Sequence, residues 1–133
     1  HRKGASRAFG PGREDLPQDY RGIGQPVLLV GTMGTASYLL VGTEKAEEIS
    51  FASTAHGAGR VLSRAAARRR FTASSVISAL KRKGIIVRAA SGRVVEEETP
   101  EGYKDIHRVA EVSHRLGIGT KVMMTVPIAV AKG

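Results

Sequence analysis

The sequence predicts an α+β fold, a mixed sheet with flanking helices, on three observations. Of 133 residues, 41% are hydrophobic and 25% charged, with 16 glycines, which is the composition of a globular domain rather than of a disordered or fibrous chain. Short aliphatic and β-branched runs bounded by glycine give strands, while segments opened by serine or threonine give helices. The two kinds of segment follow one another without the strict alternation of a doubly wound sheet. A chain of this size buries about two-thirds of its unfolded surface. With aromatic residues at 5% and no tryptophan, its core is aliphatic.

Residues 1–24 are rich in Gly, Pro and Arg and show neither a two-residue nor a 3.6-residue apolar period, so they read as an extended and loop entry to an α+β part over 25–133. Runs at 27–30 and 37–41 flank Gly31-Thr32-Met33-Gly34-Thr35 and read as two strands around a glycine turn. Thr43 is placed to cap a short helix through Ile49, with Glu44 in the first turn favoured by the helix dipole. After residues 50–55 comes His56-Gly57-Ala58-Gly59-Arg60, and then a helix over 61–70 built on alanine and arginine, so the glycines are expected at a helix entrance. Ser74 or Ser75 caps a further helix ending at Gly84, followed by strands at 85–90 and 94–95. Over 103–116, Ile106, Val109, Ala110, Ser113 and Leu116 share one helical face, and Gly117 stops that helix. The last element, 122–130, reads as a strand that Pro127 confines to an edge or a bulge.

Charge narrows the function classes. Lysine and arginine number 21 against 12 acidic residues, a net charge of +9 that attracts polyanions such as nucleic acid. Residues 49–95 hold no Asp or Glu but carry Arg60, Arg64, Arg68, Arg69, Arg70, Lys81, Arg82, Lys83, Arg88 and Arg93. Such a block is either a phosphate-binding surface or a solvated face. Glu96, Glu97 and Glu98, which follow it, read as an exposed acidic run. The absence of cysteine excludes a disulfide scaffold, a thiolate zinc site and a cysteine nucleophile. No apolar run approaches the roughly 18 residues of a membrane span, and no signal-like stretch follows the basic start, so a cytoplasmic location without membrane contact is expected. The chain begins with His1 rather than Met and opens directly into a motif-like run, which reads as a piece of something longer.

Two glycine-rich turns hold the chemically interesting residues. Residues 31–35 lack the lysine and the spacing of a P-loop and are not the dinucleotide fingerprint. They form either a tight hairpin turn or, with the hydroxyls of Thr32, Thr35 and Ser37 beside glycine amides, a cradle for phosphate oxygens. His56 precedes two glycines and the expected helix start, with Arg60 and Arg64 on one face of that helix. A helix N-terminus and neighbouring arginines disfavour imidazolium, so His56 is expected to be a neutral nucleophile or base able to attack a phosphoryl group. The alternative is a buried histidine hydrogen-bonded to backbone. His107 and His114 lie seven apart, unlike the i, i+4 spacing of paired ligands; they read as solvent-facing, and no metal site is assigned.

The string His1-Arg2-Lys3-Gly4-Ala5, the turn at 31–35 with Ser37-Tyr38, the run Ser53-Thr54-Ala55-His56-Gly57-Ala58-Gly59-Arg60 with Ser63-Arg64, the stretch 84–91, Tyr103-Lys104 and Lys132-Gly133 together resemble the RtcB family of RNA-splicing ligases, archaeal type, from end to end of the chain. The resemblance implies the C-terminal part of a GTP- and manganese-dependent ligase. Such an enzyme joins RNA 3′-phosphate or 2′,3′-cyclic phosphate ends to 5′-hydroxyl ends in tRNA splicing and RNA repair. It implies that His56 attacks GTP to give a covalent histidine-GMP, that the guanylate passes to the RNA 3′-phosphate, and that the 5′-hydroxyl displaces it. By the same likeness Val30, Gly31, Thr32, Met33 and Ser37 hold the nucleotide, and Gly57, Ala58 and Gly59 lie beside the nucleophile. Lys132 resembles the lysine that reaches the guanine, and Lys3, Tyr103, Arg60 and Arg64 resemble positions lining the nucleotide or the RNA phosphates. Thr32 stands where the family commonly has serine, and the hydroxyl survives. The family's manganese ligands, an Asp, a Cys and histidines, lie N-terminal to the matching part, so this segment alone is expected to be inactive or nearly so. Implied partners are GTP, tRNA halves, the N-terminal portion of the ligase and an activating protein such as archease. The competing readings are a non-catalytic basic RNA-binding module and a purely structural domain.

Overall fold

The structure, a computed structural model, describes residues 4–133. In chain order these form β1 (Ala5–Arg7), β2 (Pro26–Leu29), β3 (Ser37–Gly42), α1 (Lys45–Ser50), β4 (Ser53–Ala55), α2 (Arg64–Arg70), α3 (Ala73–Arg82), β5 (Ile86–Ala89), α4 (Gly92–Glu97), α5 (Ile106–Arg115), β6 (Gly119–Thr125) and β7 (Ala129–Lys132). Single 3-10 turns stand at Gln18–Tyr20 and Pro100–Gly102. The fold is α+β, with antiparallel and parallel pairings distributed over three small sheets, β1-β4, β2-β3-β6 and β5-β7. No helix among the described residues is long and apolar enough to cross a membrane. The chain folds as two compact units built from interleaved segments. One takes the segment ending at Val30 together with Ser37–Ala58 and Asp105–Thr125; the other takes Gly31–Ala36, Gly59–Lys104 and Val126–Gly133.

In the first unit the aliphatic runs of β2 and β3 pair antiparallel, Val27 opposite Leu40, and β6 adds on the far side of β3 with a register shift between Leu39 and Leu40. Alternation sends Val27, Leu29 and Leu40 into the core, where they are buried with Ala46, Ile106 and Ala110. Thr43 does not cap α1. Its hydroxyl donates instead to the carbonyl of Gly117, and Glu44 occupies the cap without a side-chain bond. Gly117, at φ +74°, supplies the left-handed turn that ends α5, so one polar contact ties the start of α1 to that turn. Helix α5 is capped by Asp105, which accepts from the His107 N–H at 2.8 Å. Its buried face is Ile106, Ala110 and Ser113, while Leu116 stands 45% exposed just beyond the last turn.

The second unit packs α3 and α4 around Met33, Val76, Leu80, Ile85 and Val95, with Phe71, Ala73, Val87 and Val130 against them. Helix α3 begins two or three residues earlier than expected. Thr72 is its cap and Ser75 the reciprocal member of a capping box, so the serine is used, but from inside the helix. The expected strand at 94–95 is instead part of α4. Ser91 accepts from the Val94 N–H, and one helical turn places Val95 in the core at 1% exposure. The expected strand 122–130 is two strands, because Pro127 lacks the N–H needed to continue a ladder: β6 stops at Thr125, and β7 pairs in parallel with β5.

Two predictions follow from this packing. Leu40 is fully buried, so Leu40→Ala should destabilise the protein by about 2–5 kcal/mol in urea denaturation; a loss under about 1 kcal/mol would contradict its placement. Glu111 on α5 accepts from Lys121 on β6 and from Arg115, and these bonds pull its carboxyl from the ordinary 4.5 down to about 2. A depressed carboxyl stabilises the fold above its unfolded value and loses that contribution as pH falls from 4.5 towards 2. Thermal melts should therefore decline over that window, and Glu111→Gln should flatten the decline.

Candidate active site

His56 follows β4 directly, and the antiparallel pairing of Ala5 with Ala55 carries the Gly4 carbonyl to its ring. Imidazole Nδ1 lies 2.7 Å from that oxygen. A carbonyl oxygen only accepts, so Nδ1 carries the proton, and in the neutral ring the lone pair sits on Nε2. The residue is exposed. It is thus hydrogen-bonded to backbone, as the second sequence reading had it, but not buried. The main chain around it is clamped by an isolated parallel bridge between Val30 and Gly57. The Val30 N–H donates to the His56 carbonyl at 3.3 Å, and the Ala58 N–H donates to the Val30 carbonyl at 2.9 Å. A Cβ on Gly57 would lie 3.1 Å from the Val30 oxygen, tighter than ordinary contact. Behind the histidine, buried Thr54 shares a 3.2 Å hydroxyl contact with Ser113 of α5.

The glycines after His56 are not at a helix entrance. The N–H groups of Val61 and Leu62 both donate to the Gly102 carbonyl, at 2.8 and 3.1 Å, and the chain bends there instead of starting a helix. Helix α2 starts only at Arg64, behind Ser63, whose side chain accepts from the Ala66 N–H at 3.1 Å. Arg60 therefore lies outside the helix that carries Arg64, and helix amides lend no anion site beside His56.

What Arg60 does instead is organise the second unit's polar cluster. Its Nη1 donates to the Tyr103 hydroxyl at 2.8 Å and lies 3.4 Å from Glu98. Its Nε and Nη2 donate to the carbonyls of Leu62 and Glu97 at 2.9 and 2.6 Å. The guanidinium stacks 4.6 Å above the Tyr103 ring. Glu98 also accepts from the Tyr103 hydroxyl, and receives Arg64 Nε at 3.6 Å and Lys132 Nζ at 3.9 Å. Glu97 receives Arg68, Arg93 and, at 3.8 Å, Arg64. The run Glu96 to Glu98 is thus not an exposed acidic surface. The side chains of Glu97 and Glu98 are only 15% and 20% exposed, because the arginines of the cationic block close over them, and Glu96 accepts from the Ala73 N–H. Bonds from Arg93 and Arg68 hold the Glu97 carboxyl below the usual range, and burial together with Glu98 pushes the Tyr103 phenol up, so the phenol remains a donor. Glu97 and Glu98 are what the sequence reading missed. The signal was available, since with Glu96 they form the first run of carboxylates after a long stretch of unbalanced arginines.

The glycine turn at Gly31–Ala36 is shaped by its own threonines. The Thr32 N–H donates to Thr35 Oγ1 at 2.9 Å, the two hydroxyls meet at 2.8 Å, and the Gly34 N–H donates to Thr32 Oγ1 at 3.2 Å. Threonine at position 32 therefore supplies the oxygen that a serine would. Gly31 is required, since a Cβ there would stand 1.8 Å from the Ala36 carbonyl oxygen. The Met33 side chain is in the core, and Ser37 opens β3 half-buried. In the first unit the structure thus brings together Val30, His56, Gly57 and Ala58; in the second it brings together Arg60, Arg64, Tyr103 and Lys132, with Gly59 at φ +73° leading into Arg60. Lys3 lies outside the described residues. His107 and His114 are exposed, His107 meeting the Tyr38 hydroxyl at 2.7 Å. Among the described residues no three His, Cys, Asp or Glu side chains converge, so these residues do not fit a manganese site.

A family model described as tRNA-splicing ligase RtcB matches residues 1–133. Among curated relatives, proteins named tRNA-splicing ligase RtcB from Archaeoglobus fulgidus and Methanococcus maripaludis are each 57% identical over all 133 residues. One of the same name from Pyrococcus furiosus is 56% identical. The chain spans 28% of the length of the first two proteins and 14% of the third. With a whole-chain match to the family and more than half of its residues shared with such relatives, the chain belongs to the RtcB family of tRNA-splicing ligases.

Proposed function

We propose that this chain is the guanylate-transfer part of a GTP-dependent RNA ligase, with His56 as the nucleophile. The observation that carries this reading is the 2.7 Å contact of Nδ1 with the Gly4 carbonyl on an exposed residue, which in the neutral ring leaves the lone pair on Nε2. On this reading Nε2 attacks the α-phosphorus of GTP; the N–P bond forms, the P–O bond to the β-phosphate breaks, and pyrophosphate leaves. An oxygen of the RNA 3′-phosphate then takes the guanylate and releases His56. The 5′-hydroxyl of the second RNA finally attacks that 3′-phosphate, expelling GMP and closing the phosphodiester. Ends that arrive as 2′,3′-cyclic phosphates are first opened by water. Val30, Gly57 and Ala58 fix the backbone on both sides of the nucleophile, and the Gly31, Thr32, Met33 and Ser37 turn with Gly59 and Lys3 is assigned to the nucleotide. Lys132 and Tyr103 are assigned to the guanosine, and Arg60 and Arg64 to phosphate.

Manganese, once bound, would supply charge neutralisation for the triphosphate, and the described residues offer it no ligand set. The remaining portion of the ligase must bring it, and the further partners are tRNA halves and an activating protein such as archease, in the cytoplasm. A simple RNA-binding module resting on the arginine block is less well supported, because it gives no role to the His56 ring held on the Gly4 carbonyl, and Arg68 and Arg93 of that block are engaged by Glu97.

The test is to incubate the chain with GTP labelled at the α-phosphate, manganese and a separately expressed upstream portion, and to map covalent guanylate by mass spectrometry. An acid-labile adduct on His56 that requires the upstream portion is expected, and His56→Ala should abolish it. Turnover by the 133-residue chain alone, or an adduct that survives His56→Ala, would refute the assignment. RNA retention without any adduct, with the upstream portion bound, would move the conclusion to the RNA-binding module.

A further inference from the structure

Glu98 has no part in any motif read from the sequence, yet Arg60, Arg64, Tyr103 and Lys132, all assigned above to nucleotide or phosphate, meet on its carboxylate. Its position is an unfavourable one for a negative charge. Glu98 is the residue that closes α4, so its carboxylate stands at the negative end of the helix dipole, and the side chain is only 20% exposed. A glutamine there could still accept from the Tyr103 hydroxyl and the Arg60 guanidinium without either penalty. What glutamine could not do is attract the ammonium of Lys132 at 3.9 Å and the guanidinium of Arg64 at 3.6 Å. The charge therefore serves the cations rather than the helix.

The contacts also divide the labour among the partners. Arg60 is held by four further groups besides Glu98, namely the carbonyls of Leu62 and Glu97 and the hydroxyl and ring of Tyr103. Lys132, near the end of β7, has Glu98 as its ion-pair partner, and its long side chain carries large rotamer freedom to be restrained. Lys132 is accordingly the group whose placement depends most on Glu98.

Resting on the ligase reading above, we propose that Glu98 is a positioning residue of the nucleotide site, whose carboxylate holds the Lys132 ammonium, the Tyr103 hydroxyl and the Arg60 and Arg64 guanidinium groups in one arrangement before GTP arrives. Ordering these groups in advance lowers the entropy lost on binding, so its benefit falls on nucleotide affinity and on the choice of base rather than on the attack by His56.

The test uses the full-length ligase and follows covalent labelling against GTP and ATP concentration. Glu98→Gln should raise KM for GTP about tenfold with kcat within about twofold, and should lower the preference for GTP over ATP by a similar factor. A merely structural Glu98 would lower labelling from both nucleotides equally, in step with a lower Tm and with no change in the GTP to ATP ratio; that result overturns the proposal, as does wild-type KM and selectivity. Should Glu98→Gln fail to reach the native circular dichroism spectrum, Glu98→Asp keeps the charge but withdraws it by one methylene from the Lys132 ammonium and the Arg64 guanidinium. The same rise in KM is then expected, and unchanged KM and selectivity overturn the proposal. A His56→Ala control that still labels would instead show that the ligase reading itself has failed.

Discussion

Two adjacent carboxylates, Glu97 and Glu98, set the terms for the second unit. Around them stand Arg60, Arg64, Arg68, Arg93 and Lys132, drawn from α2, α4, β7 and the loop after Gly59. Without those carboxylates the elements would present like charges to one another at short range, in a place too enclosed for water to screen them fully. With them, the same arginines become cross-links, and the apolar core of Met33, Val76, Leu80, Ile85 and Val95 can close beneath. The pairs are partly exposed, so each adds little by itself; their effect comes from sharing acceptors in a network.

The parts of the fold that were legible in the sequence are those fixed by local chemistry. The strands β2 and β3 around a glycine turn, the strand β5, the helix α5 and its stop at Gly117 all follow from short-range pattern and turn residues. What was misread depends on partners distant in sequence. Val61 and Leu62 have helix-compatible neighbours, yet their amides are taken by the Gly102 carbonyl some forty residues on, and α2 is shortened accordingly. Residues 94–95 are β-branched and read as a strand, but Ser91 caps a helix there whose inner face needs Val95. Thr43 has the right chemistry for a cap and spends it on Gly117. The candidate site divides the same way. The residue types were legible, whereas the acceptor of the His56 ring and the carboxylates that collect the arginines could be known only from the pairing of β1 with β4 and from the end of α4.

The glycine turn is shaped by its own side chains. Its two threonine hydroxyls close a small ring of hydrogen bonds with the Thr32 and Gly34 amides, and Gly31 allows the Ala36 carbonyl to approach where any Cβ would collide. These contacts are those of a tight turn: the Thr32 and Gly34 amides donate to the turn's own hydroxyls, which hold its backbone in one form. Met33 anchors the turn from beneath by filling the core, which is why an apolar residue stands in the middle of an otherwise polar loop.

The choice of partner for His56 bears on the chemistry proposed for it. A carboxylate on Nδ1 would fix the ring equally well, and would make Nε2 more basic, but it would also set a full negative charge within a ring's width of the atom that must meet a triphosphate. The Gly4 carbonyl fixes the same tautomer with only a dipole. Its cost is a lesser rise in nucleophilicity, and its gain is that no fixed anion repels the incoming phosphate. Holding that carbonyl in place requires the β1-β4 ladder to be in register, since a slip by one residue would turn the Gly4 peptide away from the ring. The three-residue pairing of Ala5–Arg7 with Ser53–Ala55 thus sets one carbonyl against one imidazole.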